Sequence, residues 1–332
     1  MRALPGLAVL NPGGHDPDLS FQNGPGEPNP GQHAPVNHHA YAACTRGGYY
    51  RSTGLAARHR SVLLLLRGNL KAAQQACSLL KAHGCFVAVA FKEAGLHQVG
   101  PQLNRPGVMK RFLTLAKEAD LCVASTPELV VLFRCTSRRV VEIPTPYPVD
   151  VPAWNFSRPH KDRHGLFIGT REFDVPTRNH LLALLAARSL AVPLTVIARA
   201  ADRRLFEALD LTSEQLRTLR PLPYPDYLRV MAGHRVVFQL DQSTVPGQVA
   251  GDALLCGLPT VGGSGATERL VHPELHGHGR DFTALLGLAH RLLQEPAFYQ
   301  AKCEEMRRHA LERLSFSVIR GQLAECLPAM EG

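Results

Sequence analysis

Long apolar runs are missing from these 332 residues. None approaches the roughly 18 residues that a membrane helix needs, so no transmembrane segment is expected. The first apolar stretch, ending at Leu10, is too short for a secretory signal and lacks a cleavage pattern; it reads as a first strand. The eight cysteines show no close pair and no metal-type spacing. Free, mostly buried thiols in a reducing cytoplasm are the expectation, with no metal site. Also absent are a Gly-x-Ser-x-Gly elbow, a phosphate-loop Lys motif and a Cys/His nucleophile pattern. No repeat of solenoid period is present.

Acidic residues are in deficit: 28 Asp and Glu face 37 Lys and Arg, a formal charge of +9. Such a surplus suits an anionic partner, namely a nucleoside diphosphate, a phospholipid surface touched peripherally, or nucleic acid. The basic residues are dispersed, however. Arg138-Arg139, Arg203-Arg204 and Arg307-Arg308 are pairs rather than a tract, and each reads as solvated surface charge. No dense basic or aromatic stripe exists, which weighs against nucleic acid.

The length exceeds what one core sustains, so two domains are expected. After a strand at 4–10, ten of the 21 residues from 11 to 31 are Pro or Gly. That composition cannot hold a helix or an inner strand. Tyr41 to Tyr50 adds aromatics, so part of the stretch should pack. Regular alternation begins at Ser61. Strands are expected at 62–66, 85–91, 121–124 and 140–143, with helices at 70–83, 106–119 and 127–133 between them. Strand–helix alternation means a parallel sheet. Pro144, Pro146, Pro148 and Pro152 then make a stiff connector. The alternation restarts beyond it: strands at 166–168, 194–197, 236–240 and 260–261, helices at 177–189, 224–233 and 248–256, then three closing helices at 282–295, 297–314 and 317–327. The expected architecture is α/β, two Rossmann-like domains facing a cleft. One spans 1–150 and takes back the last helix, about 315–330; the other spans 151–314.

The segment from Asp241 to Glu268 carries the chemistry. A strand ends at Leu240, and Pro246-Gly247 opens a helix. The first N–H groups of a helix lack intrahelical partners and carry partial positive charge, so a diphosphate is a natural ligand there. Gly247 allows close approach to the main chain. Asp252, further along, suits ribose hydroxyls. On the residues alone a plainer reading stands beside this one: Ser243 or Thr244 as an ordinary N-cap and Asp252 as a surface acid.

This stretch resembles the donor motif of the retaining GT-B glycosyltransferases, which have two Glu separated by seven residues, then Ala-x-Ala-Cys-Gly-x-Pro-Val-Val and Gly-x-x-Glu. Asp252-Ala253-Leu254-Leu255-Cys256-Gly257-Leu258-Pro259-Thr260-Val261 matches the second half, and Gly265-Ala266-Thr267-Glu268 the last part. The family's second Glu falls on Asp252 and its first on Thr244, a departure that bears on sugar recognition and catalysis. Leu166-Phe167-Ile168-Gly169-Thr170-Arg171 and then Arg178, just inside a helix, are similar to the family's strand–Gly–Arg…Lys signature. The resemblance implies a GT-B fold and an NDP-sugar donor such as a UDP-sugar. It further implies that Arg171 and Arg178 grip the diphosphate and stabilise the leaving nucleotide. Gly169, Gly247, Gln248, Asp252 and Glu268 line the donor site on the same reading, Thr244 stands near the transferred sugar, and no metal or other cofactor is implied. The acceptor is left open: glycan, lipid, small molecule or nucleic acid.

Asp16-Pro17-Asp18 has the look of a metal-holding pair but reads better as a turn. His15, His33, His38 and His39 are either acceptor-side groups or solvated loop residues. His15, on the first loop after the strand, is the expected acceptor-side catalytic group. Lys92 and Glu93 end a strand and should face the cleft. The rival readings are a nucleotide-binding protein that has lost turnover, which Thr244 supports, and a transferase acting on modified nucleic-acid bases.

Overall fold

The computed structural model of the protein describes residues 4–169, 173, 175–199, 206, 208–209 and 211–328. Two sheets form the scaffold. The first contains β1 (Leu4–Leu10), β2 (Leu19–Ser20), β3 (Gly48–Tyr50), β4 (His59–Leu66), β5 (Phe86–Phe91), β6 (Leu121–Ala124) and β7 (Val140–Glu142), in the order β2-β3-β1-β4-β5-β6-β7. The second contains β8 (Leu166–Ile168), β9 (Leu194–Ile197), β10 (Leu216–Leu219), β11 (Val236–Phe238) and β12 (Thr260–Val261), in the order β10-β9-β8-β11-β12. Every pairing is parallel except that of β2 with β3.

Parallel strands covered on both faces need apolar side chains on both, which is why β4 ends in Val62-Leu63-Leu64-Leu65-Leu66, all buried. Alternate residues feed two cores. Val62, Leu64 and Leu66 pack with the helices Lys71–Ala82 and Pro106–Glu118; Leu63 and Leu65 pack with the helix His38–Cys44 and with Phe316, Ile319 and Leu323. The second sheet is sandwiched in the same way.

The strands between Ser61 and Glu142 fall where apolar runs predict them. Residues 11–50 do not follow that rule. This Pro/Gly-rich stretch contributes two short strands and a helix to the first sheet's edge and face. The two-residue β2 lies at the edge, the one place where such a sequence is tolerated. The edge strand β10 and the helices Leu96–Leu103 and Ala266–Val271 were likewise not apparent from periodicity.

The proline-rich connector is packed rather than free. Tyr147 is fully buried, its N–H bonds to Leu314 O at 2.8 Å, and it bridges to Ser315. Asp150 accepts from the N–H groups of Phe316 and Ser317, both at 3.0 Å. It thereby caps the helix Phe316–Cys326, whose apolar face returns to the first sheet. Glu128 and Arg269 tie the halves together with hydrogen bonds of 2.7 and 3.0 Å. Burial opposes charge on Glu128, but the Arg269 guanidinium holds its carboxyl below the ordinary range. No helix among the described residues is long and apolar enough to cross a membrane.

Candidate functional site

Both sheets point the carboxyl ends of their strands at one cleft of about 480 Å³. That volume suits a small molecule. In each sheet the strand order reverses beside the cleft: β1 lies between β3 and β4, and β8 between β9 and β11. Such switch points are where open α/β sheets bind ligands.

The second half supplies most of one wall. Gly247 sits at φ +91° and opens the helix Gln248–Leu255. A side chain at Gly247, Gly263 or Gly265 would collide with the Glu268 carboxylate, so three glycines cradle one acid. Glu268 is 3% exposed and lines the cleft; its Oε1 lies 3.5 Å from Gln239 Nε2. Oε2 has no hydrogen-bond partner among the described residues. Burial pushes this carboxyl up to about 7, helped by nearby Asp241 and opposed by Arg178. Asp252 is 1% exposed and also lines the cleft. Tyr224 donates to its Oδ1 at 2.5 Å. Burial pushes Asp252 up to about 7 as well, with the tyrosine hydroxyls opposing the rise. Two shifted acids in one cleft are what a functional site shows more often than a structural one. Ile197, Pro221 and Leu222 add an apolar side to this wall.

Across the cleft stand Asn37, His38, Lys92 and Glu93. Asn37 Nδ2 donates to Gln248 Oε1 at 3.1 Å, joining the two walls. His38 Nε2 lies 3.1 Å from Phe91 O, and burial, then the Lys92 charge, pulls its imidazole down to about 3.

Of the expected donor residues, Arg178, Gly247, Gln248, Asp252 and Glu268 all border this cleft. Arg178 lies on the 3₁₀ turn Pro176–Arg178, one residue ahead of the helix cap Asn179, not just inside the helix. Its Nη1 donates to Asp241 Oδ2 at 2.6 Å. Gly169 ends β8 at φ +48°, where a Cβ would strike the His180 ring. Arg171 lies outside the described residues. Thr244 does not border the cleft: it is half-buried in the loop before Pro246, while its neighbour Ser243 turns to donate to Thr177 Oγ1 at 2.9 Å. His15 also departs from expectation. It is exposed and borders none of the cavities, because the turn after β1 carries it outward; His38 and His39, on a helix, face inward instead. Asp16 and Asp18 are held as turn acids, by Tyr49 Oη at 2.9 Å and Arg51 N at 2.6 Å.

Tyr224 and Asp241 went unread in the sequence. A tyrosine at the first turn of a helix opened by Pro223 was visible, but its partner Asp252 is remote in sequence.

No protein-family model matches the sequence, and no curated protein matches it significantly. Solved structures do match in fold. Anabaena Alr3699/HepE in complex with UDP aligns at a TM-score of 0.62 and 14% identity, covering 82% of this chain and 79% of that one. An alpha-glucosyltransferase in complex with UDP-glucose and DNA containing an abasic site aligns at 0.58 and 10% identity, covering 82% of each. The alpha,alpha-trehalose 6-phosphate synthase of Burkholderia multivorans aligns at 0.59 and 14% identity, covering 88% of this chain and 77% of that one. The chain has the GT-B fold shared by these glycosyltransferases.

Proposed function

We propose that the protein is a glycosyltransferase that moves a sugar from a nucleoside diphosphate, UDP by first choice, to an acceptor held by the first half, with retention of configuration. The observation that carries this reading is the cleft itself. It brings the start of the helix Gln248–Leu255, the acids Asp252 and Glu268, and the cations Arg178 and Lys92 to the carboxyl ends of two parallel sheets. UDP and UDP-glucose occupy proteins of the same fold.

On this reading the diphosphate meets the helix start at Gly247 and Gln248, and the base lies along Ile197, Pro221 and Leu222. Arg171 and Arg178 balance the charge that develops as the glycosidic bond breaks, and no metal is invoked. The raised affinity of Asp252 and Glu268 for protons serves the same end, because a diphosphate then meets fewer full negative charges. Asp252, held by Tyr224, stands toward the ribose. The buried thiols suit a reducing compartment.

Calorimetric titration with UDP and a hydrolysis assay with UDP-glucose test the reading. Saturable UDP binding and slow release of glucose support it; no binding of any nucleoside diphosphate refutes it. Thr244, standing where the resemblance expects an acid, favours a second reading: nucleotide binding without turnover. Binding with neither hydrolysis nor transfer would select that one.

A further inference from the structure

Beside the main cleft lies a second cavity of about 400 Å³, contiguous with it through Asn37, Lys92 and Tyr224. It belongs mainly to the first half and to the stretch 11–50. Its polar wall is built, not incidental. Asn11 Nδ2 donates to Tyr49 Oη at 2.7 Å, and Tyr49 donates to Asp16 Oδ2 at 2.9 Å, so a buried relay fixes the Asp16 carboxylate at the cavity edge. The ring of His39 stacks on Tyr49 with centroids 3.8 Å apart, and His33 stacks on His39 at 5.3 Å. His39 is 7% exposed, yet its Nε2 has no hydrogen-bond partner among the described residues. A buried polar atom left unpaired costs stability, so its retention in a cavity wall points to a ligand that completes it.

The charges limit what that ligand is. Lys92 brings one cation and Asp16 one carboxylate. Burial holds the His39 imidazole down at about 4, hence neutral. An anionic ligand would meet Asp16 and a cationic one Lys92. The faces of the stacked rings suit the C–H faces of a sugar ring.

We propose that this second cavity is the acceptor subsite and that it takes an uncharged polyhydroxyl molecule, one hydroxyl donating to the Asp16 carboxylate and a neighbouring hydroxyl pairing with His39 Nε2. The assignment to an acceptor rests on the glycosyltransferase reading; the cavity's preference for a polyol does not.

Saturation-transfer NMR with glucose as the probe, and glucose 6-phosphate as its charged counterpart, tests this on the full chain. The wild type should bind glucose in the millimolar range. Asp16→Asn should weaken that binding roughly tenfold and His39→Phe, which keeps a ring on Tyr49, by roughly fivefold. Both variants should keep the wild-type melting temperature and UDP affinity, which separates loss of the subsite from loss of the fold. Absence of glucose binding in the wild type, or equal binding in wild type, Asp16→Asn and His39→Phe, overturns the proposal. Tighter binding of glucose 6-phosphate that Lys92→Met abolishes would show an anionic ligand and overturn the uncharged assignment. If UDP fails to bind the wild type while glucose behaves as expected, the transferase reading falls and the polyol site stands.

Discussion

The two walls of the cleft are made differently. Most of the second-half wall comes from one run of chain, Gln239 to Glu268, in which a strand end, a glycine turn and a helix follow one another. The first-half wall is assembled from Asp16, Asn37, His38, Lys92 and Glu93, brought together only by the sheet order that sets β1, β3, β4 and β5 side by side. A nucleotide diphosphate asks for a helix start and a few fixed polar groups, which a short motif can encode. A hydroxyl acceptor asks for shape and scattered hydrogen bonds, which a loop such as 11–37 supplies.

Four variants sharpen or break that contrast. Gly247→Ala should have the largest effect. It places a β-carbon at φ +91° and drives it into Glu268. A left-handed backbone costs a non-glycine residue about 1–2 kcal/mol, and the carboxylate must also move. UDP affinity should fall by an order of magnitude or so. In a Glu268→Ala background the loss should shrink, and additive losses would show that the cradle is not what requires the glycine.

Next comes the tie between the halves. Glu128→Ala or Arg269→Ala removes a bidentate pair whose side chains are 20% and 19% exposed. Each should lower unfolding free energy by about 1–3 kcal/mol, and a double-mutant cycle by urea denaturation should show that the two losses are not additive. A zero coupling energy would mean that the walls are held by packing alone, through Tyr147 and the returning helix.

The third effect is a pH dependence. Glu268 has its proton affinity raised in the fold to about 7, burial being the main cause. A folded-state pKa above the unfolded one contributes stability that is present below the unfolded value and lost as pH rises through the folded value. Thermal unfolding from about pH 5 to about pH 8 should therefore show Glu268→Gln gaining on the wild type as pH rises. A constant difference across that window would place the titration elsewhere. Asn37→Ala should do least, because its bond to Gln248 is solvent-exposed. A loss near 0.5 kcal/mol is expected, with UDP affinity almost unchanged; a tenfold loss of affinity would move the donor across to the first-half wall.

What the sequence revealed follows the same division. β6, β8, β9 and β12 lie at 121–124, 166–168, 194–197 and 260–261, as apolar runs predict, because a strand buried on both faces writes its burial into every residue. The helix start at Gly247 was legible because proline, glycine and a following apolar run are local signals. Tertiary contacts were not. Asp252 pairs with Tyr224, 28 residues away, and the glycines around Glu268 make sense only once strand ends meet. His15 was the natural choice in a linear reading, yet the turn after β1 carries it into solvent, while His39, inside a stretch dominated by prolines and glycines, folds into a helix that buries its ring on Tyr49.

Hydrogen exchange with and without saturating UDP tests the central claim most directly. If the donor sits on the second-half wall, UDP should slow exchange in residues 245–256 and around 176–180, and leave residues 11–36 unchanged. Protection confined to residues 11–50, or none in 245–256, would contradict the account.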